Sequence, residues 1–189
     1  MTLLTINPSA SSHDGREISG GAMTLTGVIV LTSSLHWAGL ILPNVTVPPG
    51  STINPATKLY YKSWDTARDD PDIIWYAQDA DNAAVLTTTN FDITSRARTT
   101  ASVTDSATAI GTSSYRQINI QSLIAEVVAR GGWASGNAIA LLGDAQTSCT
   151  LEIATYDIGS SIWYVEIDYT APASSGAAPK AIYYARMRG

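Results

Sequence analysis

The chain has 189 residues, a net charge of −5 and a charged fraction of only 14%, against a usual figure of about 25%. That length suits one domain and is enough to bury a sizeable core without covalent staples. An acidic chain with a sequence pI near 4.8 argues against a nucleic-acid binder, which usually shows a basic patch or stripe, and the single Cys149 excludes an intrachain disulfide and most Cys-based metal sites. No apolar run reaches the roughly 18 residues of a membrane span, and the first 25 residues carry neither the basic nor the apolar region of a signal peptide. Thr and Ser together make up 42 residues, and a chain rich in Thr, Val, Ile and Tyr favours strands.

In chain order, residues 1–21 read as an extended arm, with one apolar patch (Leu3, Leu4, Ile6) expected to dock on another chain, then Pro8, a Ser cluster and Gly20-Gly21. Strand signals then recur at short spacing, as in a sandwich or barrel: Met23–Thr32, His36–Leu42, Val45–Val47, Lys58–Trp64, Asp72–Tyr76, the Thr- and Ala-rich stretch Arg96–Thr108, Ala138–Leu142, Cys149–Tyr156 and Ile162–Tyr169. Their alternation, with one polar face, predicts antiparallel sheets packed on a common core. One segment changes period. Ile120, Leu123, Ile124, Val127 and Val128 fall on one helical stripe, with Asn119 at the N-cap and Gly131-Gly132 as a left-handed stop. This short amphipathic helix is expected to plug an open end of the sandwich. Residues 171–189 form a linker and C-terminal arm in which Tyr183, Tyr184, Arg186, Met187 and Arg188 follow a Pro/Ser/Gly spacer. They read equally as a hook for a partner or as a last strand folding back.

The chemistry is sparse. His13 lies in the arm, His36 beside Trp37, and no G-x-S-x-G elbow, P-loop, G-x-G-x-x-G or H-E-x-x-H occurs; the chain reads as non-enzymatic. Six aspartates fall between positions 65 and 81, and Asp69, Asp70 and Asp72 could gather oxygen ligands around a structural Ca²⁺, although the spacing does not fit an EF-hand. Aspartate also favours turns for local reasons. Trp37, Trp75, Trp133 and Trp163 sit where a core position is the default, which leaves Trp64 as the aromatic for a glycan or partner contact.

The order of several segments carries a resemblance. WAGLILPNVTVPPGSTINPATKLYYKS (37–63), YAQDADNAAVLTTTNFDITSRARTTASVT (76–104), INIQSLIAEVVARGGWASGNAIALL (118–142), ATYD (154–157) and IDYT (167–170) together resemble the DNRLRE-type, carbohydrate-binding-module-like jelly-roll domains, which also occur as free-standing virion proteins of tailed bacteriophages. The resemblance spans about residues 24–170 and departs at Asp105, where a Trp is expected. It implies an all-β, antiparallel two-sheet jelly-roll sandwich over residues 22–170, without catalytic apparatus. Two functions follow from it as expectations. One is a capsid decoration or cement protein, localised in the virion and assembled in the host cytoplasm, whose partners are the major capsid protein or other virion proteins. The other is a carbohydrate-binding module or tail adhesin domain. Low charge density leaves wide Ser/Thr/Ala areas suited to burial, so a homo-oligomer is expected, taken as a trimer by analogy with head proteins.

Overall fold

The computed structural model describes residues 1–32, 35–64, 68–69, 72–106, 109–146, 151–160 and 162–173. In chain order the strands are β1 (Thr2–Ile6), β2 (Asp14–Glu17), β3 (Met23–Thr24), β4 (Val28–Leu31), β5 (Trp37–Leu42), β6 (Thr52–Ile53), β7 (Lys58–Tyr61) and β8 (Arg68–Asp69). They continue as β9 (Asp72–Ala77), β10 (Val103–Ser106), β11 (Ala109–Ile110), β12 (Arg116–Asn119), the helix α1 (Gln121–Val128), β13 (Ile139–Ala145), β14 (Leu151–Ala154) and β15 (Tyr164–Thr170). Two antiparallel sheets face each other. One runs β1-β15-β7-β12 with β6 also on β15, and the other runs β10-β9-β13-β5-β2-β3. The ribbons β14–β4 and β11–β8 are separate. The fold is an all-β sandwich with one short helix.

Alternation builds the core between the sheets. Leu59 and Tyr61 of β7, Ile73 and Trp75 of β9, and Val165 and Ile167 of β15 are all buried, and the rings of Trp75 and Trp163 lie 6.1 Å apart at the centre. Gly143 permits this packing, because a Cβ there would meet Trp75 ring carbons at 2.7 Å. α1 buries Leu123, Ile124, Val127 and Val128 and lies against β6 and β9. The N-cap position falls on Ile120, one residue after the expected Asn119, while Asn119 Oδ1 accepts the Gln121 N–H at 3.0 Å from just outside the helix. The stop differs from expectation. Neither Gly131 nor Gly132 has positive φ, and the helix closes through Ala129 N–H to Ala125 O at 3.0 Å. Gly132 instead makes room for Asp81, whose carboxylate would collide with a Cβ. Trp133 packs beyond the helix end and donates its Nε1–H to Val47 O at 3.0 Å.

The N-terminal arm is the main correction. Residues 1–21 are not an arm set apart from the sandwich: β1 pairs with β15 from Thr2↔Tyr169 to Ile6↔Val165, and β2 is an interior strand between β5 and β3. Ile6 is buried and Leu4 packs against the core, whereas Leu3 is 58% exposed. The cause is register, since every second residue of Thr2–Ile6 turns inward. The sandwich therefore begins at Thr2, ahead of the boundary expected at residue 22. Within 23–32 the chain forms β3 and β4 rather than one strand, bending at Gly27 (φ +81°). Val45 and Val47 are buried in a loop, and among the described residues of the 96–108 stretch only Val103–Ser106 forms a strand. Tyr183, Tyr184, Arg186, Met187 and Arg188 lie outside the described residues.

Candidate functional site

The connection between β9 and β10 folds over the outer face of the six-stranded sheet. It closes a second apolar cluster in which Ala83, Leu86 and Ile93 pack on Trp37, Ile41, Ala140 and Leu142. Arg96 holds this loop from within. Its Nε–H donates to Asp92 O at 3.1 Å, Nη1 donates to Gln78 Oε1 at 2.9 Å and Ala84 O at 2.8 Å, and Nη2 donates to Val85 O at 3.0 Å and Asp92 Oδ1 at 3.1 Å. These contacts use all five guanidinium N–H groups. Glu17 of β2, itself buried, clamps the next turn. Its Oε2 accepts the N–H groups of Ile93 and Thr94, each at 2.9 Å, and its Oε1 accepts the Thr94 hydroxyl at 2.6 Å.

Phe91 stands on this clamped loop. It has φ +66°, a conformation in which a bulky side chain is a genuine outlier, and the residue is 51% exposed. The Phe91 N–H donates to Gly21 O at 2.8 Å. Its ring lies so close to Gly21 that a Cβ there would meet it at 2.5 Å. Between Phe91, Leu35, Trp37, Thr94 and the Gly20-Gly21 turn opens a cleft of about 180 Å³. Leu35 is 61% exposed, and the Arg98 guanidinium covers the Trp37 ring at 4.8 Å and the Tyr76 ring at 5.3 Å. The result is an apolar rim with an aromatic floor.

The other side chains singled out by the sequence do not gather here. Trp64 is half-buried, and its N–H donates to Glu152 O at 2.7 Å. Of the aspartates considered for calcium, Asp72 opens β9, while the side chains of Asp69 and Asp70 lie outside the described residues. Asp79 and Asp81 instead pair with Arg130, with Nε to Asp81 Oδ1 at 2.6 Å, and no group of three metal-ligating side chains forms among the described residues. His13 Nδ1 lies 3.2 Å from the Ser9 N, and His36 Nδ1 lies 3.2 Å from both the Thr32 N and the Val30 carbonyl oxygen, so each ring is tied to the backbone of its own turn. On the outer face of the five-stranded sheet Tyr60 and Tyr164 stack at 4.5 Å, and Tyr115 packs edge-on against Tyr164. Tyr60 donates to Glu166 Oε2 at 2.6 Å; burial, with that carboxylate beside it, pushes its hydroxyl pKa up to about 12.

Two buried carboxylates join the sheets. Asp105 sits where the resemblance expects Trp. It accepts the Tyr61 hydroxyl and both Nε and Nη2 of Arg116, the Nε contacts measuring 2.6 and 2.8 Å. Burial, then the Asp105 charge, raises the Tyr61 hydroxyl well above its ordinary value. Asp14 accepts the Tyr156 N–H at 2.9 Å and the Trp163 Nε1–H at 3.0 Å on one oxygen, while its other oxygen has no protein partner. Burial outweighs those hydrogen bonds and raises Asp14 to about 6. No protein-family model matches the chain, and no curated protein does.

Proposed function

We propose that this protein is a non-catalytic structural component of a tailed-bacteriophage virion, a capsid decoration or cement protein that binds the major capsid protein or another virion protein and self-associates. The observation that carries the reading is Phe91: a large apolar side chain kept exposed at a strained backbone position by a loop clamped through Arg96 and Glu17. Strain is retained where the surroundings over-determine it, and such positions cluster at functional sites. A rigid aromatic beside an apolar cleft suits a protein interface, where a few anchors carry most of the energy. The order of motifs resembling phage virion domains supplies the setting.

Co-sedimentation with empty capsids tests the reading. The chain is expected to pellet with shells, and Phe91→Gly, which removes the anchor and accepts the same backbone angle, to lower the affinity at least about tenfold, the loss of one hot-spot side chain. Failure of the wild-type chain to bind shells, with retention on a glycan array, would replace this reading with a carbohydrate-binding module or tail adhesin.

A further inference from the structure

Among the arginines with described side chains, Arg98 alone has no acceptor. Arg16 donates to Val30 O, Arg96 to the carbonyls of its own loop, Arg116 to Asp105, and Arg130 to Asp79 and Asp81. Arg98 is exposed, and among the described residues it donates no hydrogen bond and closes no ion pair. Its place is fixed all the same. The backbone bridges to Gln78, flanked by Asp79 N–H to Ala97 O and Thr99 N–H to Ala77 O, each at 2.9 Å. The guanidinium then lies over the Trp37 ring at 4.8 Å and the Tyr76 ring at 5.3 Å. These rings cover its flat face and leave the in-plane N–H edge open, the edge that takes a carboxylate through two parallel bonds.

No acid of this chain is placed to fill that edge. Asp144 and Glu17 stand opposite Trp37 on its two sides in register, yet neither pairs with Arg98, and Glu17 is taken up by Ile93 and Thr94. The acids whose side chains are not described are Asp65, Asp69 and Asp70. They precede Asp72 at the start of β9, whereas Arg98 bridges to Gln78 past its end, about 20 Å along the strand. Residues 174–189 carry Lys180, Arg186 and Arg188 and no Asp or Glu, so their side-chain charge repels Arg98. A second copy is the poorer donor, because among the described residues its outer carboxylates are already engaged. Ser11 holds Asp157, Tyr60 holds Glu166, and the Thr100 and Ala101 N–H groups hold Glu126. A phosphate or polyanion fits less well than one carboxylate, since its larger charge meets Asp144 and Glu17 on either side.

We infer that Arg98 receives one carboxylate side chain of the partner protein, docked on the Trp37–Tyr76 shelf beside the Phe91 cleft. The inference rests on the decoration reading and adds the partner's chemistry: an acidic residue with apolar neighbours, the acid for Arg98 and the neighbours for the Phe91 rim. The pair orients the complex, and the aromatic anchor supplies the apolar contact.

Co-sedimentation with empty capsids separates the inference from the reading beneath it. Arg98→Gln is expected to weaken shell binding about tenfold or more, the loss of a charged hydrogen-bonded pair. Arg98→Lys, which keeps the charge without the planar fork, is expected to recover only part of it. Far-ultraviolet circular dichroism checks that each variant folds. The edge is also read without shells, by following the Arg98 Nε–H and Trp37 indole resonances while acetyl-Leu-Glu-Leu-amide or its Gln counterpart is added. Only the Glu peptide is expected to give a saturable shift, and Arg98→Gln to abolish it at Trp37. Shell binding that Arg98→Gln leaves unchanged overturns the inference while the decoration reading stands. No shell binding by the wild-type chain, with a saturable shift from the Glu peptide alone, overturns the decoration reading while the carboxylate site stands. Two peptides that act alike overturn the site, and a wild-type oligomer that Arg98→Gln dissociates overturns the partner in favour of a second copy.

Discussion

Phe91 shows how one residue can be read against its backbone. At φ +66° a side chain with a Cβ carries a penalty of about 1–2 kcal/mol, which glycine does not. The usual helix- and strand-interior ranking of alanine over glycine therefore reverses here. Phe91→Gly and Phe91→Ala lose the same ring, yet the glycine variant is expected to melt about 2–4 °C above the alanine variant, the size of shift about 1 kcal/mol gives in a chain this long. Differential scanning calorimetry of the two proteins decides it, and an alanine variant melting higher would show that the backbone is not strained. The sequence contained a signal for this residue. It is the only Phe in the chain, and it lies between Asn90 and Asp92, residue types that build turns, so a bulky apolar side chain stood where a loop tip was indicated.

At the scale of elements, legibility followed periodicity. α1, β9 and β15 were readable because their apolar residues repeat at 3.6 or 2 and their burial follows that repeat, and β13 because it is a short continuous apolar run buried on both faces. β2 was not, since Asp-Gly-Arg-Glu offers no apolar residue; its place between β5 and β3 is set by partners, with Gly15 so close to Thr24 O and Leu25 that a Cβ would meet both at 2.7 Å. β1 was read as an arm because its partner β15 lies some 160 positions along the chain, and adjacent Leu3 and Leu4 blur the alternation. The cleft was hidden for a similar reason: Gly21, Leu35 and Phe91 come from three segments that only the fold brings together. The β9–β10 loop depends instead on Arg96. Arg96→Lys keeps the charge but replaces a planar five-donor fork with a point charge, leaving the part-buried carbonyls of Ala84, Val85 and Asp92 without their donors. The expected cost is about 3 kcal/mol, several hydrogen bonds to a charged group at roughly 1.5–3 kcal/mol each being partly recovered by water. Amide exchange at Ile93 and Thr94 should accelerate along with global destabilisation in urea. An unchanged exchange pattern would mean that Glu17 alone holds the loop.

For the molecule as a whole, the carboxylates set an unusual pH dependence. Asp14 is raised from 3.8 to about 6, chiefly by burial, and Asp144 is raised from its ordinary value for the same first reason. A raised carboxyl pKa means that the folded state holds its proton more tightly than the unfolded chain does. Its stabilising contribution is present below 3.8 and is lost as pH climbs to about 6. For fully buried Asp14 that amounts to on the order of 3 kcal/mol. His13 opposes it, because burial lowers its pKa and acidification then costs the folded state, but its ring is largely solvated and the effect is small. Roughly 2 kcal/mol of the Asp14 contribution remains at pH 4.5, so the chain is expected to melt about 4–8 °C higher at pH 4.5 than at pH 7. Asp14→Asn keeps an acceptor for the Tyr156 and Trp163 N–H groups and has no charge to bury, so its melting temperature should vary far less between those pH values and should not fall below wild type at pH 7. Calorimetric scans of both proteins at pH 4.5, 5.5 and 7 separate the outcomes. A wild-type chain that melts highest at pH 7 would mean that Asp14 is ionised in the folded state at little cost, with its second oxygen solvated.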